Sequence, residues 1–102
     1  MKYINVFLFF FIVTFFSFQT WSNEVNLYSA RKEHLIKPLL DVFEKENGIK
    51  VNLVTAKAAQ LHERIIREGN NSPADVLLTT DAGNLWKANE KKLFQKISSN
   101  FL

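Results

Sequence analysis

From residue 25 onward the apolar positions alternate between a period of two and a period near 3.6. VNLYS (25–29) is rich in strand formers and closes on Ser29, after which Arg31, Lys32 and Glu33 are all charged. Leu35, Ile36, Leu39, Leu40 and Phe43 then recur at i, i+1, i+4, i+5 and i+8, one face of an amphipathic helix. Pro38 limits where that helix begins, because beyond the first turn a proline removes a hydrogen bond and clashes with the preceding turn. A start near Glu33–Leu35 follows. The stop is KENG, with Lys45 in the last turn and Gly48 free to take a left-handed cap.

IKVNLVT (49–55) alternates apolar and polar residues at period two and predicts a half-buried strand. AKAAQLHERIIREGN (56–70) returns to helical spacing, with Leu61, Ile65 and Ile66 on one face and His62 expected to point to solvent. ADVLLTT (74–80) is a short, largely apolar strand of the kind buried on both faces in a parallel sheet, and it ends in Thr79, Thr80 and Asp81. AGNLWKANEKKLF (82–94) predicts a last helix, with Trp86 used in packing. On its strand, Tyr28 is expected in the core with its hydroxyl satisfied.

The order β-α-β-α-β-α specifies an α/β class with parallel strands and right-handed crossovers. A three-stranded open sheet leaves a long edge, so these elements read as part of a domain and are expected to fold poorly by themselves.

The first 22 residues follow a different grammar. Lys2 is their one charge, an apolar stretch runs from about Ile4 to Phe18, and small polar residues close it at Thr20 and Ser22. This is the pattern of a secretory signal peptide, with cleavage expected between Ser22 and Asn23. An uncleaved anchor is the alternative. The stretch is shorter than the roughly 20 residues of a spanning helix, and Thr14 and Ser17 interrupt it.

Removing residues 1–22 takes away seven of the ten Phe, so the aromatic richness belongs to targeting. It leaves 80 residues with 12 basic and 10 acidic side chains, formally +2. That near-balance gives no support to a nucleic-acid footprint. No cysteine is present, which excludes a lipobox, disulfides and cysteine-based zinc sites and suits a periplasmic domain with an ordinary core. Nucleophile elbow, glycine-rich phosphate loop and paired helical histidines are all missing from the sequence, so an enzyme is not indicated.

VNLYSARKE, GIKVNLV and EGNNSPADVLLTTDAGNLW, in this order and spacing, resemble the N-terminal segment of periplasmic ferric-iron-binding proteins, the solute receptors of iron(III) ABC importers. The resemblance runs from about Glu24 to Phe94. It implies a two-lobed receptor of the type II periplasmic binding protein class, closing on Fe³⁺ and delivering it to a membrane permease. Residues 23–102 would be the first part of the N-terminal lobe. In the family the principal iron ligands are tyrosines of later sequence, including an adjacent pair; here 23–102 holds Tyr28 alone, and no metal ligand is assigned within the chain.

Fe³⁺ is a hard cation that favours anionic oxygen donors. Where some members add a histidine after the first strand, this chain has Lys32. His34 lies two residues further on, and a surface position suits it better than ligation. Where some relatives place a glutamate after the third strand, Thr80 stands. The adjacent Asp81 has ligand chemistry, but an aspartate leading into a helix is also a good N-cap. The resemblance therefore implies a lobe that supplies counter-charge rather than ligands. Arg31 would grip carbonate or another oxyanion bidentately with help from Lys32, and Ser29, Thr79, Thr80 and Asp81 would line the same crevice. A receptor for another solute, such as an oxyanion or a polyamine, remains open, because fold does not fix ligand; so does a truncated, non-functional product.

Overall fold

The computed structural model describes residues 23–101, and the expected signal peptide lies outside them. Strand β1 (Glu24–Ser29) is the middle of a three-stranded parallel sheet, with β2 (Lys50–Thr55) on one side and β3 (Val76–Leu78) on the other. Glu24 to Ser29 pair in register with Lys50 to Thr55, and Leu27 to Ser29 pair with Val76 to Leu78. Being central, β1 carries the most deeply buried run, Leu27, Tyr28 and Ser29.

Helix α1 (Glu33–Asn47) joins β1 to β2, α2 (Ala58–Glu68) with a 3₁₀ turn (Gly69–Asn71) joins β2 to β3, and α3 (Ala82–Glu90) follows. Gly48 ends α1 at φ 64°, its N–H donating to the Glu44 carbonyl at 2.9 Å, as the KENG stop predicts. Pro38 lies in the second turn of α1 rather than the first. The donor it lacks is missing opposite the carbonyl of His34, which is an exposed position. Right-handed crossovers running in opposite directions across the sheet, from β1 to β2 and from β2 past β1 to β3, set α1 and α2 on opposite faces. The core gathers Leu27, Tyr28, Ile36, Leu61 and Ala88.

Four sequence expectations are corrected. Of the α1 apolar set only Ile36 is buried and Leu40 half-buried, while Leu39 is 64% exposed; the stripe is wider than the surface three strands present. Strand β3 is not buried on both faces: Val76 is 48% exposed, because β3 is an edge strand among the described residues. Trp86 does not pack, being 62% exposed beside Leu85 and Phe94. His62 is not at the surface but 1% exposed, turned with Leu61 into the interface that α2 makes with its neighbours.

Candidate functional site: the rim where β1 and β3 end

The strand order β2-β1-β3 makes the crevice between β1 and β3 a switch point, since the chain leaves β1 in one direction and returns on its other side. Open α/β sheets bind ligands there, outside the carboxyl ends of the strands. The Ala30 N–H donates to the Leu78 carbonyl at 2.9 Å, so the last residues of β1 and β3 are locked side by side. The polar closes of the two strands, Ser29-Ala30-Arg31-Lys32 and Thr79-Thr80-Asp81, therefore emerge at the same rim.

Ser29 is fully buried and belongs to the support of the rim rather than its surface. Its Oγ accepts from the Arg31 N–H at 3.1 Å and donates to the Arg31 carbonyl at 3.4 Å. These bonds bend the chain sharply after β1 and fix the backbone that carries Arg31. The Arg31 and Lys32 side chains are exposed, and among the described residues neither forms an ion pair. His34 is exposed in the first turn of α1.

On the β3 side, the Thr79 hydroxyl donates to the Asp81 carbonyl at 3.2 Å, and Thr80 is exposed. Asp81 caps α3. Its Oδ1 accepts from the Asn84 N–H at 2.7 Å and its Oδ2 from the Asn84 side-chain amide at 2.7 Å. The Asn84 backbone N–H, then its amide, hold the Asp81 carboxyl below the usual aspartate range. Each oxygen accepts one hydrogen bond from Asn84, the arrangement of an N-cap. Among the described residues no three His, Cys, Asp or Glu side chains cluster closely enough to hold a metal.

Two supporting residues, Glu68 and Asp75, escaped the sequence, whereas Tyr28 is in the core with its hydroxyl satisfied, as expected. Tyr28, 1% exposed, donates its hydroxyl to Glu68 (2.9 Å to Oε1, 3.0 Å to Oε2). Glu68 also accepts from Ser72 Oγ at 3.2 Å and pairs with Arg64 at 3.6 Å, and the Arg64 guanidinium lies 5.0 Å from the Tyr28 ring centre. Burial and then the Glu68 carboxylate push the Tyr28 phenol up from its ordinary range. The rule that a buried tyrosine finds a partner could have prompted a search for Glu68. Asp75 is the second: its Oδ2 accepts from the Asn26 N–H at 2.8 Å while its own N–H donates to the Asn26 carbonyl at 2.9 Å, a reciprocal pair that opens the β1–β3 ladder.

An open groove of about 630 Å³ lies between the end of β2 and α2, lined by Thr55, Gln60, Arg64 and Arg67 among others; Thr55 is the register partner of Ser29, so the groove begins at the same carboxyl edge of the sheet. No helix among the described residues is long and apolar enough to cross a membrane.

No family model matches the chain. Individual relatives do. Iron uptake protein A1 of Synechocystis is 52% identical over 79 residues, 78% of this chain and 22% of the relative. The Fe(3+)-binding periplasmic protein of Serratia marcescens is 36% identical over 73 residues, 72% of this chain and 22% of the relative. Among solved structures, a Trichodesmium protein in complex with iron and citrate superposes with a TM-score of 0.70 at 50% identity, covering 76% of this chain and 25% of that one. The chain thus spans about a fifth of the length of the curated relatives it matches. The parallel α/β layer is that of the type II periplasmic binding proteins, and over about three quarters of its length the chain is similar to iron uptake and ferric-iron-binding proteins.

Proposed function

We propose that the chain is part of an extracytoplasmic receptor that captures ferric iron for an ABC importer, a binding protein without catalysis, and that residues 23–102 form the opening part of its N-terminal lobe. The observation that carries this reading is the 50% identity and shared fold with the iron- and citrate-bound Trichodesmium protein. The position of the polar rim at the sheet's switch point supports it.

The division of labour follows from the chemistry of the rim. Tyr28, the tyrosine of the described residues, is buried and its hydroxyl is committed to Glu68, so it does not offer a phenolate. Asp81 is committed to its cap. Arg31, exposed on a backbone fixed by Ser29, is free to grip an oxyanion that accompanies the iron, with Lys32 adding charge. The phenolate donors would come from sequence outside this segment, the permease would take the loaded receptor, and residues 1–22 would direct export.

A chimera tests this reading. Residues 24–94 replace the matching segment of the Trichodesmium protein, and ferric citrate is titrated while the visible phenolate-to-iron absorbance is followed. Retained ferric binding with its absorbance band is the expected result. A folded chimera that does not bind iron would overturn the assignment and favour another solute.

A further inference from the structure

His62 is used by nothing at the rim, yet it is the most deeply buried ionisable base among the described residues. It sits on α2 at 1% exposure, next to Leu61 at 1%, and α2 packs against both β1 and α3. Its Nε2 has no hydrogen-bond partner among the described residues. The residues three and four positions away on α2 are Ala58, Ala59, Ile65 and Ile66, so its own helix offers no acid. From β1, the Tyr28 hydroxyl is committed to Glu68. From α3 and its C-cap, the charged groups that bear on it are Lys87 and Lys91, both cationic.

We propose that His62 is an acid-sensitive latch between α2 and α3, neutral when the helices are docked and forcing them apart when Nε2 takes a proton. A protonated imidazole at this site would be a buried N–H⁺ donor with no acceptor, facing two ammonium groups. Solvent would relieve both problems, and undocking of α3 would admit it. Helix α3 begins at Asp81, so its release also frees the Thr79–Asp81 side of the rim. Burial, then Lys91 and Lys87, hold the docked imidazole below its ordinary range. A depressed folded pKa means that the open form binds the proton more readily. Docking is therefore full above the open form's 6.5 and weakens as pH falls below it.

The test of the latch needs no metal, so its failure is distinguishable from failure of the iron reading. The full chain is titrated by NMR, following the His62 ring signals together with the hydrogen-exchange protection of the α3 amides, corrected for intrinsic rates. If the isolated chain shows no protection at neutral pH, the same measurement is made in the chimera. The His62 midpoint should lie below 6.5. Protection of α3 should fall between pH 7 and pH 5 by up to about 25-fold, the limit set by an open form titrating at its ordinary value. His62→Gln, neutral throughout, should remove that loss; His62→Leu serves if the glutamine variant does not fold. A midpoint at or above 6.5, or an equal loss of protection in the non-titrating variants, would overturn the latch.

Discussion

Replacing Tyr28 by Phe and Glu68 by Ala, singly and together, probes the buried hydroxyl that ties β1 to the end of α2. Tyr28→Phe deletes a hydrogen bond to a carboxylate, a class worth about 1.5–3 kcal/mol. The Glu68 side chain is 23% exposed and keeps Ser72, so water recovers part of the loss, and a cost of about 1–2 kcal/mol is expected. Glu68→Ala is worse, because it leaves a phenol hydroxyl unpartnered in a site 1% exposed. That adds a desolvation penalty of about 1–3 kcal/mol. The Arg64 ion pair adds little, since the arginine side chain is 46% exposed. Once Glu68 is gone, removing the orphaned hydroxyl is nearly neutral. The double variant should therefore be no less stable than Glu68→Ala alone, with a coupling energy of about 1–2 kcal/mol. Urea unfolding of the chimera, followed by circular dichroism, measures all four corners on a completed sheet. Additivity within about 0.5 kcal/mol would refute the claim that the hydroxyl depends on Glu68.

Three further outcomes are expected. Lys92 takes φ 56° in the Schellman turn that ends α3, with the Lys92 N–H bonded to Asn89 and the Leu93 N–H to Ala88, so Lys92→Gly should stabilise the chain by up to about 1 kcal/mol in the same urea assay. Asp81→Ala should lower the helicity and exchange protection of α3 through loss of its N-cap. Because the folded pKa of Asp81 is depressed, its contribution is present above 3.8 and is lost as pH falls below that value, an acid window separate from that of His62 and absent in Asp81→Ala.

What the sequence revealed follows from which forces are local. The period-two pattern in Lys50–Thr55 and the Gly48 stop are properties of short segments, and both elements end where the pattern places them. Asp81 was legible as a cap because capping needs only the three residues that follow it. The reach of α3 was not. No glycine marks its end, and the left-handed residue is Lys92, so the pattern runs on to Phe94 although the helix stops at Glu90. His62 was misread for a different reason. Its burial depends on how α3 docks, with Ala88 fully covered at the contact, and helical period alone does not report a second helix. Likewise, the side-by-side placing of the Ser29 and Thr79 ends follows from the β2-β1-β3 order, but the burial of Ser29 under the Arg31 backbone needed the structure.

The rim's part in holding the iron's companion anion is tested most directly by ferric affinity in the chimera, compared between Arg31 and Arg31→Ala under citrate competition. Loss of a charge-assisted, bidentate grip predicts binding weaker by about tenfold or more. Unchanged affinity in a folded Arg31→Ala chimera would contradict the account.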